Sequence, residues 1–284
     1  MTDGVVIVDK PSGMTSHDVV DRVRKVFNEK RVGHAGTLDP DATGVLVLGL
    51  GKATRLLSYA QSAPKTYRAV ATLGITTTTL DASGEIVDKR PADFDQTDVE
   101  AVVASFEGEI EQVPPMVSAV KVGGERLYKK ARRGENVERR ARKVTIYELK
   151  TLAYEAPDLT LMVRCSAGTY VRTLVADIGE RLGCGAHLKT LRRTESGGFE
   201  EGDAFALDVL DPENLLPIAA AVQVLERLEL DDEQVAFVRH GRPLLLGIPK
   251  AGENEPVALF HDGSLLAVYR RAGNSLMADR VIPQ

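Results

Sequence analysis

Short apolar runs and amphipathic helical patterns alternate along the N-terminal half of the chain. Residues 5–8 are uniformly apolar, and after a helix cap near Ser16 the apolar residues Val20 and Val23 follow at helical spacing. A second apolar run covers residues 45–50. This alternation predicts a mixed α/β domain.

Every second residue from Tyr67 to Leu73 is apolar, which predicts a strand that begins at Tyr67 and buries one face. A helix is predicted over residues 97–106, before the prolines at 114–115 end regular structure. Later in the chain, strands are predicted over residues 143–153 and 159–165.

The next helix is predicted to begin at Tyr170, with Thr169 as its cap, and to stop at Gly183. A further helical run is predicted from Pro217 as far as Leu228. The remaining predictions are a helix over 231–240, strands over 244–246, 257–260 and 265–269, and a hairpin turn at 261–263. A small β-rich terminal domain of about the last 55 residues is therefore expected.

The composition is that of an ordinary globular protein. Of the 284 residues 43% are hydrophobic and 27% charged, and no apolar stretch is long enough to cross a bilayer. The first residues do not fit a signal peptide, so a cytoplasmic location is expected. Cys165 and Cys184 lie far apart without metal-ligand spacing and are expected to be reduced structural thiols.

Charge is distributed unevenly along the chain. The formal net charge is −5, which by itself argues against a nucleic-acid partner. Residues 121–150 nevertheless contain 11 Lys and Arg against 4 Asp and Glu. This segment is either a basic binding surface or a solvated helix face.

The densest candidate for chemistry is the loop GHAGTLDPDATG at residues 33–44. Its glycines and proline predict a tight turn that presents Asp39 with little conformational freedom. Alternatively, Asp39 and Asp41 only cap turns. His34 in the same loop and the length of the loop favour a functional role.

A catalytic carboxylate can attack an anomeric carbon or an electron-poor ring, and it needs a nearby cation to stay ionised when it is partly buried. Arg172, near the start of the helix that follows SAGTY, is a candidate partner for Asp39. Tyr67 and Tyr170 are candidates for stacking on a base, and packing within the core is the alternative for both.

Other functional motifs are excluded. The segment GLGKAT at residues 49–54 departs from a phosphate-binding loop because Leu46 and Ala53 occupy positions that require glycine and a hydroxyl. The histidines show no metal-ligand spacing, and no serine lies in a nucleophile elbow. No metal and no cofactor are expected.

Six ordered motifs resemble the bacterial tRNA pseudouridine-55 synthase family, the TruB type. They are DKPSGMTSHDVV from Asp9, GHAGTLDPDATGVLVLGLGKAT from Gly33, KTYRAVATLG from Lys65, PPMVSAVKVGGERLYKKARRG from Pro114, CSAGTYVRTL from Cys165 and GCGAHLKTLRRTESGGF from Gly183. One turn departs from the family pattern: Thr78 stands where many members carry Asp, with Asp81 and Gly84 retained.

The resemblance implies an α/β (α+β) pseudouridine synthase fold, in which helices flank a central mixed, largely antiparallel sheet. It divides the chain into a catalytic domain at residues 1–226 and a PUA-like RNA-binding domain at residues 227–284. An RNA-clamping insertion is implied at residues 114–143. The implied substrate is tRNA, bound at its T arm and elbow by a monomer without a guide RNA, an obligatory protein partner or a membrane.

The resemblance also assigns roles to individual residues. It makes Asp39 the nucleophile, Tyr67 the residue that stacks on the flipped base, and Arg172 the salt-bridge partner of Asp39. The substrate-binding positions that it implies around the site are His34, Tyr170 and Leu191. Lys10 lies beside the site, with a structural role. The implied clamp residues are Lys129, Lys130, Arg132 and Arg133.

Three alternatives remain open. A guide-RNA-dependent synthase would share the Asp39 loop but lack the insertion at residues 114–143. An RNA chaperone that folds tRNA elbows would bind without relying on the chemistry. A nucleoside or glycoside hydrolase would need a second carboxylate as acid and base, and none stands out in the sequence.

Overall fold

The computed structural model describes residues 2–116, 121–122, 125–126, 133, 135, 137–245 and 250–282. Lys129, Lys130 and Arg132 lie outside the described residues, as does about half of the predicted insertion. Within the insertion, two short strands, β8 (Lys121–Val122) and β9 (Glu125–Arg126), pair with each other.

A ten-stranded sheet forms the centre of the molecule. Its strands are β1 (Gly4–Lys10), β2 (Val32–His34), β3 (Thr43–Leu50), β4 (Lys65–Leu73), β7 (Gly108–Gln112), β10 (Arg142–Glu155), β11 (Asp158–Cys165), β12 (Ala186–Ser196), β13 (Phe199–Glu200) and β14 (Phe205–Ala206). The order is β14-β1-β3-β12-β4-β11-β10-β7, with β2 on β3 and β13 on β12. Pairing is parallel at β1–β14 and β3–β12 and antiparallel at the other described pairs, which confirms the expected mixed, largely antiparallel sheet.

Helices flank this sheet. They are α1 (Ser16–Val26), α2 (Leu57–Ser62), α3 (Gln96–Ala104) and α4 (Val171–Arg181). The helices α3 and α4 bury their apolar residues against β4, β10, β11 and β12. In β4 the buried residues are Tyr67, Ala69, Ala71 and Leu73, the alternation predicted from the sequence.

A small hairpin, β5 (Ile75–Thr77) and β6 (Ile86–Lys89), follows β4 and returns the chain towards α3. Its turn is held by the residue that departs from the family pattern: the Thr78 hydroxyl accepts a hydrogen bond from the backbone N–H of Glu85 over 3.1 Å. A hydroxyl therefore satisfies this turn in place of a carboxylate.

A separate four-stranded sheet forms the C-terminal part, confirming the predicted β-rich region. It consists of β15 (Glu226–Glu229), β16 (Pro256–His261), β17 (Ser264–Ala272) and β18 (Ser275–Val281), packed with α5 (Asp232–Arg239). The predicted hairpin turn is present, with left-handed backbone at Asp262 and Gly263. The division at residues 226 and 227 stays a prediction.

Three local predictions were wrong. The run after Pro217 is only a short 3-10 helix, Ile218–Val222, and β15 follows because its residues pair with β16. The strand predicted at residues 244–246 is reduced to a single bridge at Leu244, and its last residue lies outside the described part. Thr169 does not cap α4, because its hydroxyl donates to the Ser166 carbonyl instead.

The two sheets share one apolar cluster in which Ala258 and Val268 of the C-terminal sheet pack with Val5 and Val47 of the central sheet. A polar contact crosses the same boundary, where the buried Tyr59 hydroxyl donates to Asp279 over 2.9 Å. The 3-10 helix after Pro217 lies within this cluster, so it connects the two layers.

Candidate active site

The glycine-rich loop between β2 and β3 holds Asp39 between two buried anchors. Leu38 and Ala42, on either side of it, are each 3% exposed and belong to the core beneath α4. Just after the loop, Gly44 in β3 has a φ of +101°, which is unfavourable for other residues, and a Cβ there would lie 2.2 Å from the Arg193 carbonyl oxygen. The core thus fixes the backbone on both sides of the carboxylate.

Side chains from the start of α1 and the end of β1 hold the Asp39 loop in place. The Ser16 hydroxyl accepts a hydrogen bond from the Leu38 N–H over 2.9 Å and lies 3.2 Å from the Leu38 carbonyl oxygen. The fully buried Lys10 ammonium donates to the carbonyls of Pro40 over 2.8 Å and Met14 over 2.6 Å. Burial lowers the Lys10 pKa to about 8.

Arg172 is the second residue of α4 and faces the Asp39 loop. Its side chain is only 4% exposed, and its Nε lies 3.0 Å from Oδ2 of Asp39. The Asp39 side chain is 43% exposed, so the ion pair joins a buried guanidinium to a carboxylate that is open to solvent on one side. The pairing suggested from the sequence is therefore present.

A second carboxylate shares the same guanidinium. Asp81, in the turn between β5 and β6, places Oδ2 3.3 Å from Nη1 of Arg172, and this Nη1 also donates to the Thr79 carbonyl over 3.1 Å. The hydroxyl of Ser83 donates to Oδ1 of Asp81 over 2.6 Å. The sequence marks Asp81 only as a retained turn residue and gives no sign of its contact with Arg172.

Burial raises the pKa of the Asp39 carboxyl, the Arg172 guanidinium lowers it, and the Asp81 carboxylate raises it again. The net direction is upward, because burial and a neighbouring like charge together outweigh the cation. Burial thus disfavours the charged form of Asp39, and the Arg172 cation opposes that effect.

Asp39 borders a cavity of about 260 Å³. Four other residues that the sequence selected border the same cavity: Tyr67, Tyr170, Arg172 and Leu191. Tyr67 is 9% exposed, and burial raises the pKa of its phenol. The backbone of Tyr170 is held by Gln112, whose amide oxygen accepts from the Tyr170 N–H over 2.9 Å.

The cavity wall also contains two cations that were not predicted from the sequence. Lys65 and Arg193 both border the cavity and are 5% and 1% exposed. A signal for Lys65 was present, since it lies two residues before Tyr67 on an alternating strand and therefore on the same face. No comparable signal marks Arg193, which reaches this position through the pairing of β12 with β4.

The structure does not place every selected residue at the cavity. His34 ends β2, and its backbone pairs with Leu48 of β3. Lys10 does not border the cavity and contacts the Asp39 loop through the Pro40 carbonyl. Arg133 is exposed and lies 2.6 Å from Glu135, and its predicted clamp role stays a prediction, as do those of Lys129, Lys130 and Arg132 outside the described residues.

The other possible chemistries find little support in the described part of the chain. No group of three or more His, Cys, Asp or Glu side chains there has the arrangement of a metal site. Cys165 and Cys184 are buried free thiols. Among these residues no helix combines the length and the apolar character needed to span a membrane.

The sequence and the fold both match known proteins. Residues 24–171 match the model of the TruB family pseudouridylate synthase N-terminal domain, and residues 172–230 match that of the tRNA pseudouridylate synthase B C-terminal domain. The protein named tRNA pseudouridine synthase B in Thermobifida fusca is 48% identical over 288 residues, covering 97% of each chain. Its namesake in Ralstonia pickettii is 43% identical, covering 98% of this chain and 94% of the relative.

The fold of this chain is similar to that of chains in two solved complexes. A Cbf5-Nop10-Gar1 complex contains a chain with a TM-score of 0.78 and 31% identity, covering 99% of this chain and 85% of that one. An H/ACA RNP bound to a substrate RNA containing 2'-deoxyuridine gives a TM-score of 0.76 and 29% identity, covering 99% of this chain and 85% of that one. The chain belongs to the TruB family of pseudouridylate synthases.

Proposed function

We propose that this protein isomerises uridine 55 in the T loop of tRNA to pseudouridine, with Asp39 as the nucleophile. The observation that carries the proposal is the ion pair of Asp39 with the buried Arg172 at the cavity that Tyr67 also lines. An ionised carboxylate held in one orientation can attack the nucleotide, and the cation favours the ionised form. The relatives named tRNA pseudouridine synthase B support tRNA as the substrate.

The target base is flipped out of the folded T arm in this proposal. Tyr67 stacks on the extruded base, and Tyr170 and Leu191 shape the cavity around it. The cost of unstacking, a few kcal/mol, is offset by stacking on Tyr67 and by phosphate contacts elsewhere. His34 braces the displaced nucleotides from the end of β2, next to the Asp39 loop.

RNA contacts outside the cavity are proposed for the insertion at residues 114–143 and for the C-terminal domain at residues 227–284. The local excess of Lys and Arg supports phosphate contacts in the insertion, where Lys129, Lys130, Arg132 and Arg133 are the candidates. The proposed enzyme is a cytoplasmic monomer that acts without a cofactor.

The solved relatives that are part of complexes favour a second candidate, a synthase that depends on partner proteins and a guide RNA. The higher identity to tRNA pseudouridine synthase B, 48% against 31%, supports the stand-alone enzyme. The two candidates differ in whether the purified chain alone converts a tRNA substrate.

The proposal is tested with a T-arm hairpin carrying tritium at C5 of its uridines, incubated with the purified protein alone. Isomerisation through C5 replaces the C5–H bond by a C5–C1′ bond, so each turnover releases one tritium to water. We expect release equivalent to a single uridine per hairpin, abolished when uridine 55 is replaced by cytidine. Binding without release would contradict the proposal and favour the chaperone, whereas release only with guide RNA would favour the partner-dependent synthase.

Replacing Asp81 with asparagine is expected to lower the pKa of Asp39, because one neighbouring negative charge disappears. Only the ionised carboxylate attacks, so the single-turnover rate falls at low pH. This fall, the acid limb of the profile of rate against pH, should move to lower pH. The plateau rate should fall roughly 10- to 100-fold, because Arg172 loses one of its anchors.

Rapid-quench tritium release over a pH series measures both effects. Asp88→Asn is the matched control, since Asp88 lies on the same hairpin and pairs with Arg90 over 2.8 Å. An acid limb that stays in place or moves to higher pH would contradict the electrostatic coupling between Asp81 and Asp39.

A further inference from the structure

Two cations in the cavity wall are buried without a carboxylate partner among the described residues. The Lys65 ammonium donates to the carbonyl oxygens of Gln61 and, over 2.6 Å, of Ala63. The Arg193 guanidinium donates to the carbonyls of Val45 over 2.7 Å and Gly36 over 3.3 Å. Both are therefore held in place by neutral carbonyl groups and not by a direct ion pair.

The register of the sheet brings both cations next to Tyr67. Arg193 on β12 pairs directly with Tyr67 on β4, so the two side chains lie on one face about 5 Å apart at Cβ. The positive charge of Arg193 opposes the rise in the Tyr67 phenol pKa that burial causes. Lys65 precedes Tyr67 by two residues and shares its face.

The charges around the cavity do not balance. Arg172 faces two carboxylates, Asp39 and Asp81, and this group contributes one net negative charge. Lys65 and Arg193 add two positive charges at the same cavity. A buried cation without a counter-ion is costly, and its placement at a reactive cavity is explained if negative charge develops there during the reaction.

Isomerisation of uridine generates such a charge. When the Asp39 carboxylate attacks C1′, it forms a bond there and displaces the base: the C1′–N1 bond breaks, and its electron pair stays with the uracil ring, spread over N1, O2 and O4. C5 of the ring then attacks C1′, so that the C1′–C5 bond forms as the bond from C1′ to the carboxylate breaks. The C5 proton leaves to a base or to water, and N1 takes up a proton. Between these two bonds the detached base is a uracilate anion, and water cannot solvate it fully inside the cavity.

We propose that Lys65 and Arg193 form an anion site that stabilises the uracilate between bond cleavage and bond formation. This inference rests on the proposed function. Arg193 lies opposite Tyr67 on the same face of the sheet, so its positive charge acts on the base that stacks on Tyr67. Lys65 uses two of its three N–H donors on carbonyls, and the third remains for the base.

The leaving group itself provides the test. Fluorine at C5 withdraws electron density, so the anion of 5-fluorouracil is more stable than that of uracil. Its formation therefore needs less stabilisation by cations of the protein. T-arm hairpins with uridine or 5-fluorouridine at position 55 are converted under single-turnover conditions. Loss of the N-glycosidic nucleoside is measured by chromatography after nuclease digestion, and hairpin affinity is measured separately.

For Lys65→Met we expect a loss of roughly 100-fold with uridine but only about tenfold with 5-fluorouridine, at unchanged hairpin affinity. Arg193→Met should behave in the same way, and Arg193→Lys, which keeps the charge, should recover part of the rate. Lys189→Met is the matched control, since Lys189 lies on β12 but pairs with Asp158 away from the cavity. If Arg193→Met does not fold, the result for Lys65→Met alone tests the anion site.

Equal losses on the two substrates would overturn the inference and leave Lys65 with a structural role. A loss of hairpin affinity at an unchanged rate would also overturn it, since the cations would then bind a phosphate. Wild-type protein that converts neither substrate would refute the proposed function itself, whereas active wild type with equal losses in the variants refutes only the anion site.

Discussion

Replacing Asp39 with asparagine should reduce tritium release from the T-arm hairpin by about 10⁴-fold or more, because the amide has no ionised oxygen to attack the nucleotide. Hairpin affinity should stay within about twofold, since the amide keeps the shape of the side chain and Arg172 keeps its contacts with Asp81 and Thr79. Single-turnover rates and equilibrium binding of the same hairpin measure the two effects separately.

The matched control for this variant is Asp41→Asn. Asp41 lies in the same loop, two residues further on, but it is exposed and does not border the cavity. Its replacement should leave the rate unchanged. Release that persists in Asp39→Asn would remove Asp39 as the nucleophile, and equal losses in the two variants would indicate disruption of the loop rather than of the chemistry.

Replacing Arg172 with methionine should lower the single-turnover rate roughly 100- to 1,000-fold, because the carboxylates of Asp39 and Asp81 then face each other without the shared cation. The pKa of Asp39 should rise, since the guanidinium that lowers it is gone while burial and Asp81 remain. The acid limb of the rate should therefore move to higher pH, opposite to the shift expected for Asp81→Asn.

Hairpin affinity in Arg172→Met should change much less than the rate, because the partners of this guanidinium are carboxylates of the protein and not phosphates. Arg172→Lys should recover only part of the rate, since an ammonium cannot reproduce the fork that reaches two carboxylates and a carbonyl. Arg181→Met, at the other end of α4, is the control. Equal losses of rate and affinity would contradict the role of Arg172.

These two variants and Asp81→Asn together test a single arrangement, in which one buried guanidinium orients the nucleophile and sets its pKa. Opposite shifts of the acid limb in Arg172→Met and Asp81→Asn distinguish this arrangement from general loosening of the site. A loosened site would lower the plateau in both variants without moving the limb in opposite directions.

Much of the fold could be predicted because local periodicity records which side of an element is buried. The alternation from Tyr67 to Leu73 predicted a half-buried strand, and β4 has that pattern. The segment after Pro217 was wrongly predicted as a long helix, because the polar and apolar residues of Glu226–Glu229 fit either element over so short a run. Pairing with β16 decides for the strand there.

The sequence by itself determined the family, the sheet-forming segments and the loop that presents Asp39, since each depends on residue types at short spacing. Only the tertiary structure decided that Asp81 shares the guanidinium of Arg172 and that Arg193 lies beside Tyr67. Those neighbours come from a hairpin turn and from the register of β12 on β4, between segments far apart in the chain. The physical reason is that electrostatic coupling depends on distance in space, and no local pattern of side chains records which distant charges folding brings together.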